Sequence, residues 1–187
     1  QAGLGALVSN VGIFFVSPTQ EQALDYIGGH GDSEPELLLT LDYSCALFWL
    51  AAFATTDELR VKPESSWVDE ADAEDFCVYV VEIAKGIERL RSRKAAVLAV
   101  LPESVSAIYA DYYEQWIGLL ARHSGYIALN PTEVVGLGDQ TEAEALLRQA
   151  IKILDEAPET EVRAAWKALD PKAVVMPFDM NFRYENA

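Results

Sequence analysis

Residues 6–16 carry β-branched and aromatic side chains in close succession (Val8, Val11, Ile13, Phe14, Phe15, Val16) and read as a strand. Ser17 and Pro18 stop it. Residues 19–27 suit a short helix, and Gly28-Gly29 supplies the glycine that commonly ends one. A polar loop over residues 30–36 follows. Residues 37–54 are apolar at most positions, with Leu41, Cys45, Phe48 and Ala52 at helical spacing. The pattern predicts a central helix buried on most sides, with Asp42 near its start where a carboxylate suits the helix dipole. Residues 55–68 read as a loop holding Pro63 and Trp67.

Residues 69–93 form the clearest helical pattern. Phe76, Val80, Ile83, Ile87 and Leu90 recur at alternating steps of four and three residues. Five carboxylates (Asp69, Glu70, Asp72, Glu74, Asp75) precede that seam, and Arg89, Arg91 and Arg93 close it, as the helix dipole favours. A strand through residues 76–83 is the competing assignment. These charges are expected to be mostly exposed and structural. The apolar run 95–101, ended by Pro102, fits either a buried strand or an extension of the helix. Residues 103–123 predict another helix, with Ile108, Tyr109, Tyr112 and Trp116 on its apolar side and Gly125 just beyond it. Tyr113 points about 100° away from Tyr112. The aromatic stripe is read as core rather than as a binding surface.

Residues 126–129 read as a strand and Asn130-Pro131 as a turn. Val134-Val135 is expected to be a short partner strand. Thr141 and Glu144 have the spacing of a capping box and open a helix to about Glu156. A last helix spans residues 160–169, and residues 171–187 read as a terminal strand or tail. Helices and strands alternate too irregularly for a doubly wound sheet. The expected fold is therefore a single α+β domain over residues 1–187, with about five to six helices and a small mixed or antiparallel sheet. Its core is expected to include Leu41, Cys45, Phe48, Phe76, Val80, Ile83, Ile87, Ile108, Tyr112, Trp116, Leu147, Ile151 and Leu154.

Charge narrows the choice of partners. Over 187 residues the formal charge is −16, with 30 acidic and 14 basic side chains. Such a field disfavours nucleic acid and anionic membrane surfaces and attracts basic proteins, besides keeping a chain soluble. The first basic residue is Arg60, and five of the 14 fall between Lys85 and Lys94. The longest unbroken apolar run, residues 45–54, is half of the roughly 20 residues a membrane span needs. No basic stretch of signal-peptide type opens the chain, and the expected compartment is the cytoplasm.

Chemistry is sparse. Cys45 and Cys77 each sit in an apolar run and are expected to be buried free thiols. Neither has the spacing of a zinc site or a CxxC pair. Gly28-Gly29-His30-Gly31-Asp32 is the most distinctive cluster. Glycines let backbone N–H groups approach a ligand, and His30 beside Asp32 suits proton transfer. The same residues describe a helix stop and a loop, which is the preferred reading. His123, in the last turn of a helix, is expected to be structural. Gly3-Leu4-Gly5 lacks the preceding strand and the third glycine of a dinucleotide fingerprint. The carboxylates of residues 69–75 lack the glycine and the ligand alternation of a calcium loop. No cofactor and no metal site are implied.

Two functions from different classes remain. The first is an acidic protein-interaction module, of inhibitor or immunity type, with a basic partner protein and Trp67 as the candidate anchor, the plain alternative for Trp67 being a loop tryptophan folded back onto the core. The second is a small hydrolase-like enzyme acting on a small or cationic substrate through His30 and Asp32.

Overall fold

Strand β1 (Val11–Ser17) has its β-branched and aromatic residues facing alternately to two sides. Phe14 and Val16 enter a large core, while Phe15 enters a small one. The computed structural model describes residues 11–29, 35–42, 45–62, 75–136 and 138–176. Helix α1 (Gln20–Gly28) follows β1 and roofs the small core. Its ends are chemically specified. The Thr19 hydroxyl accepts from the Gln22 N–H at 3.1 Å, and Gly29 adopts φ +81°, a left-handed conformation that favours glycine.

The remaining strands are β2 (Glu36–Asp42), β3 (Cys45–Ala46), β4 (Glu58–Val61), β5 (Phe76–Glu82), β6 (Tyr126–Asn130) and β7 (Val175–Met176). Five of them form one antiparallel sheet in the order β2-β1-β6-β5-β4, and β3 pairs in parallel with β7. Leu38 is an extra residue opposite the Phe14–Phe15 step, a bulge in β2. The helices after α1 are α2 (Leu47–Leu50), α3 (Ile83–Val100), α4 (Glu103–Leu120), α5 (Thr132–Val135), α6 (Gln140–Glu156) and α7 (Glu159–Leu169). Together with residues 45–54, helices α3 to α7 pack on the sheet face opposite α1. The result is the expected α+β domain.

Two expected helices are in fact strand-containing. Residues 37–54 split into β2, β3 and the single turn α2. Where nearly every position is apolar, helical spacing is met by default and says little about period. Residues 76–82 are the strand β5, the competing assignment, and only then does α3 begin. The run Val78-Tyr79-Val80-Val81 favours a strand and is paired on both sides, by β4 and β6. Residues 95–100 extend α3. Val134 and Val135 belong to α5 rather than to a strand. Helix α6 is capped by Asp139, whose carboxylate accepts from the Glu142 N–H at 3.0 Å, and not by Thr141.

Residues 45–54 run through the centre of the core and are all at most 5 % exposed. Beyond the one turn of α2, this backbone has few carbonyl partners of its own, and buried carbonyls need donors. Helix α3 supplies them. Arg93 Nη1 donates to Ala51 O at 3.1 Å and also to Phe53 O, and Arg89 Nη1 donates to Ala52 O at 3.3 Å. Each arginine is then neutralised, Arg93 by Asp155 and Arg89 by Asp57. Asp57 also accepts from the Ala54 N–H at 2.8 Å. Arg93 is 7 % exposed, so the expectation that the charges of residues 69–93 are mostly exposed fails at Arg89 and Arg93. It holds at Arg91.

Most of the expected core is buried. Ile108 is the exception, at 51 % exposure, while Phe76 and Tyr112 are half-buried. The side chain of Leu41 lies outside the described residues. The buried stripe of α4 is Tyr109, Tyr113, Trp116, Ile117 and Leu120, rotated from the one expected. Tyr113 donates to Leu90 O at 2.7 Å and ties α4 to α3. Phe14 sits at the centre, with its ring centroid 4.9 Å from Trp116 and 5.7 Å from Trp49.

Candidate functional site

The sequence singled out His30, Asp32 and Trp67, and all three lie outside the described residues. His30 and Asp32 belong to the connection between Gly29 and Pro35. Trp67 belongs to the connection between Lys62 and Asp75, as do the carboxylates of residues 69–74. The frame holding each connection is described, and the two frames differ.

β4 and β5 are antiparallel neighbours with Val61 opposite Phe76, so the acidic connection leaves and re-enters at one end of the sheet. Both anchors are tied to α6. Arg60 donates through Nη2 to Asp75 O and through Nη1 to Glu144 Oε2, each at 2.5 Å. Gln140 Nε2 donates to Asp75 O at 2.9 Å and to Glu144 Oε1 at 3.0 Å. Glu144 Oε1 also accepts the Cys77 backbone N–H at 3.1 Å. Burial alone would raise the Glu144 pKa. The hydrogen bonds from Arg60, Gln140 and Cys77 outweigh it and hold the carboxyl below its ordinary value. One turn further along α6, Arg148 grips Glu58 with two bonds at 2.7 and 2.6 Å, and Tyr79 donates to the same carboxylate at 3.2 Å.

Beyond this lattice the exposed charges among the described residues are mainly acidic, with Lys62 the cation beside them. Asp75, Asp139 and Glu142 are exposed. The connection adds Glu64, Asp69, Glu70, Asp72 and Glu74 in sequence, with no basic residue between Lys62 and Lys85. The start of α6, the positive end of its dipole, stabilises carboxylates placed there.

The second frame, α1 and the start of β2, lies against the turn between α4 and β6. The His123 N–H donates to Leu120 O at 3.1 Å, and Ile83 N–H donates to Gly125 O at 2.9 Å. Gly125 has φ +97°, and a Cβ there would lie 2.5 Å from Ser17 O, so no other residue fits without movement. This holds His123 at a cleft of about 450 Å³ lined also by Ser17, Gln22, Glu36, Arg122 and Ser124. His123 Nδ1 is 3.4 Å from Glu36 Oε2. Glu36 begins β2 directly after the connection that carries His30 and Asp32.

Cys45 and Cys77 are free and fully buried. Burial, reinforced by Glu144 and Glu58, pushes the Cys77 thiol up to about 12. Burial, followed by the neighbouring Cys77, likewise raises Cys45. Both are therefore poor nucleophiles. Among the described residues no group of three His, Cys, Asp or Glu side chains is placed to hold a metal, and no helix is long and apolar enough to cross a membrane.

Sequence reasoning missed Glu144, Arg60 and the His123–Glu36 pair. A signal existed for Glu144: it lies three residues before Leu147 and seven before Ile151, on the buried stripe of α6. None existed for the pairing of His123 with Glu36, which depends on how the sheet is ordered. The chain matches no protein-family model, no curated protein and no solved structure.

Proposed function

We propose that this chain is an acidic protein-binding module of inhibitor or immunity type, and that its partner presents a basic surface to the end of the sheet where β4 meets β5. The observation that supports this most is the contrast at that end. The arginines there are committed to Glu144 and Glu58, while Asp75, Asp139 and Glu142 face solvent unopposed by them. Pairing Arg60 with Glu144 offsets its charge and leaves the net charge of the acidic connection available to a partner. Charge alone gives rate rather than specificity, so an aromatic anchor is also required, and Trp67 is the residue within the connection suited to it. Two buried free thiols suit a reducing compartment, and the proposed location is the cytoplasm.

The test is association kinetics against a partner captured on the immobilised chain, across a salt series. The on-rate falls steeply as the screening length contracts from about 10 Å at 0.1 M salt to about 3 Å at 1 M. Trp67→Ala raises the off-rate while leaving the salt slope unchanged. A salt-independent on-rate removes the electrostatic reading, and an unchanged off-rate removes the anchor.

The second reading, a small hydrolase-like enzyme acting on a small or cationic substrate, is favoured by the approach of His123 to Glu36 in a cleft, Glu36 following the connection that carries His30 and Asp32 in sequence. A histidine beside a carboxylate is an arrangement suited to proton transfer. If this reading holds, His123→Ala and His30→Ala each abolish turnover of a responding substrate without changing the melting temperature.

A further inference from the structure

Helix α7, the 3-10 turn after it and the end of α3 enclose a separate cleft of about 450 Å³. Leu101, the half-buried Trp166 and Val175 give it an apolar lining, and its charged lining is Arg163, Lys167 and Lys172 with one carboxylate, Asp170. In a chain of net charge −16 this is a local reversal of sign. Two of the three cations are already engaged. Arg163 donates to Ala99 O at 2.8 Å and lies 3.5 Å from Glu103, and Lys172 lies 3.0 Å from Asp170. Lys167 pairs with no carboxylate among the described residues.

We propose that this cleft binds a small amphipathic carboxylate, with its hydrocarbon body against Trp166 and Leu101 and its charge at Lys167. The volume falls within the roughly 300–1,000 Å³ of small-molecule sites, which are mostly apolar with a few placed polar groups. One uncommitted lysine matches one negative charge, which favours a monoanion over a phosphate dianion. The apolar lining favours a ligand with a hydrophobic body over a bare ion. The acidity of the rest of the chain is screened beyond about 8 Å at physiological salt, and Glu103 and Asp170 offset Arg163 and Lys172, so Lys167 supplies the unbalanced positive charge at the cleft.

Calorimetric titration of the full chain with octanoate, octanol and inorganic phosphate tests this. Octanoate binds saturably at one site, octanol binds more weakly, and phosphate does not bind. Lys167→Gln weakens octanoate by roughly 1.5- to fivefold, the range expected of an exposed charge pair, and leaves octanol unchanged. Lys152→Gln, an exposed lysine on α6, changes neither ligand. Trp166→Phe, which keeps an aromatic ring and so guards against unfolding, retains octanoate binding, whereas Trp166→Ala weakens octanoate and octanol alike. The proposal is overturned if octanoate fails to saturate, if Lys167→Gln leaves its affinity unchanged, or if phosphate binds as tightly as octanoate.

Discussion

The charges beneath the β4–β5 end of the sheet and those in front of it have opposite uses. Beneath it, Glu144 is 6 % exposed and every oxygen is taken: one by Arg60, the other by Gln140 and the Cys77 N–H. In front of it, Asp75, Asp139 and Glu142 are exposed to water. A buried charge is expensive unless paired, so its removal is a stability event. An exposed one is cheap to remove, so its loss registers in encounters with other molecules. The same division runs along α3. Arg89 and Arg93 feed the carbonyls of residues 51–53, while Arg91, between them in sequence, faces solvent.

The largest effect that would sharpen this division is expected at Arg89. Arg89→Glu sets two carboxylates against each other where Asp57 has a side chain only 8 % exposed, and it strips Ala52 O of a donor. The expected loss is about 3–5 kcal/mol, read from urea unfolding. Glu144→Ala comes next. It orphans the buried Cys77 N–H, while the half-exposed Arg60 regains water, for a cost of about 2–3 kcal/mol. Stability at acid pH follows from the same residue. Because the folded carboxyl titrates below its ordinary value of 4.5, its contribution is present above that pH and is lost as pH falls through the folded value. Glu144→Gln removes that part of the acid sensitivity.

The thiols give a smaller effect of opposite sign. Cys45 and Cys77 stay protonated in the fold well above the 9.0 at which the unfolded thiols ionise. Unfolding therefore becomes easier as pH rises past 9.0, by up to about 1.4 kcal/mol per pH unit for each thiol. Cys77→Ala reduces that slope in unfolding curves taken at about pH 8 and about pH 10. The smallest effect belongs to Arg91→Glu, within about 0.5 kcal/mol of the parent chain. If Arg91→Glu costs as much as Arg89→Glu, the division along α3 is wrong.

Much of the fold was legible in the sequence, and the parts that were not share a cause. β1, the Gly29 cap, α4, β6, α6 and α7 carry clear periods or stop signals. Residues 37–54 and 76–82 do not, because an apolar residue at nearly every position satisfies helix and strand templates alike. The β-branched content of residues 78–81 was the better guide there. Arg93 could have been read as buried, since it lies three residues after Leu90 and four before Val97 on one helical stripe. The partners of such residues were out of reach. Arg60 meets Glu144 across 84 positions, and Arg93 meets Asp155 across 62. His30, Asp32 and Trp67 were chosen for residue type and local sequence, and they fall in connections outside the described residues.

The most direct test of an acidic docking face is a chemical-shift titration of the labelled chain with decalysine at low salt. The proposal predicts that the largest perturbations fall on residues 64–75, on Asp139 and Glu142 at the start of α6, and on the Trp67 indole, and that they vanish at about 1 M salt. Perturbations spread evenly over the exposed carboxylates, or centred on Glu21 and Asp25 of α1 with Trp67 silent, would contradict it.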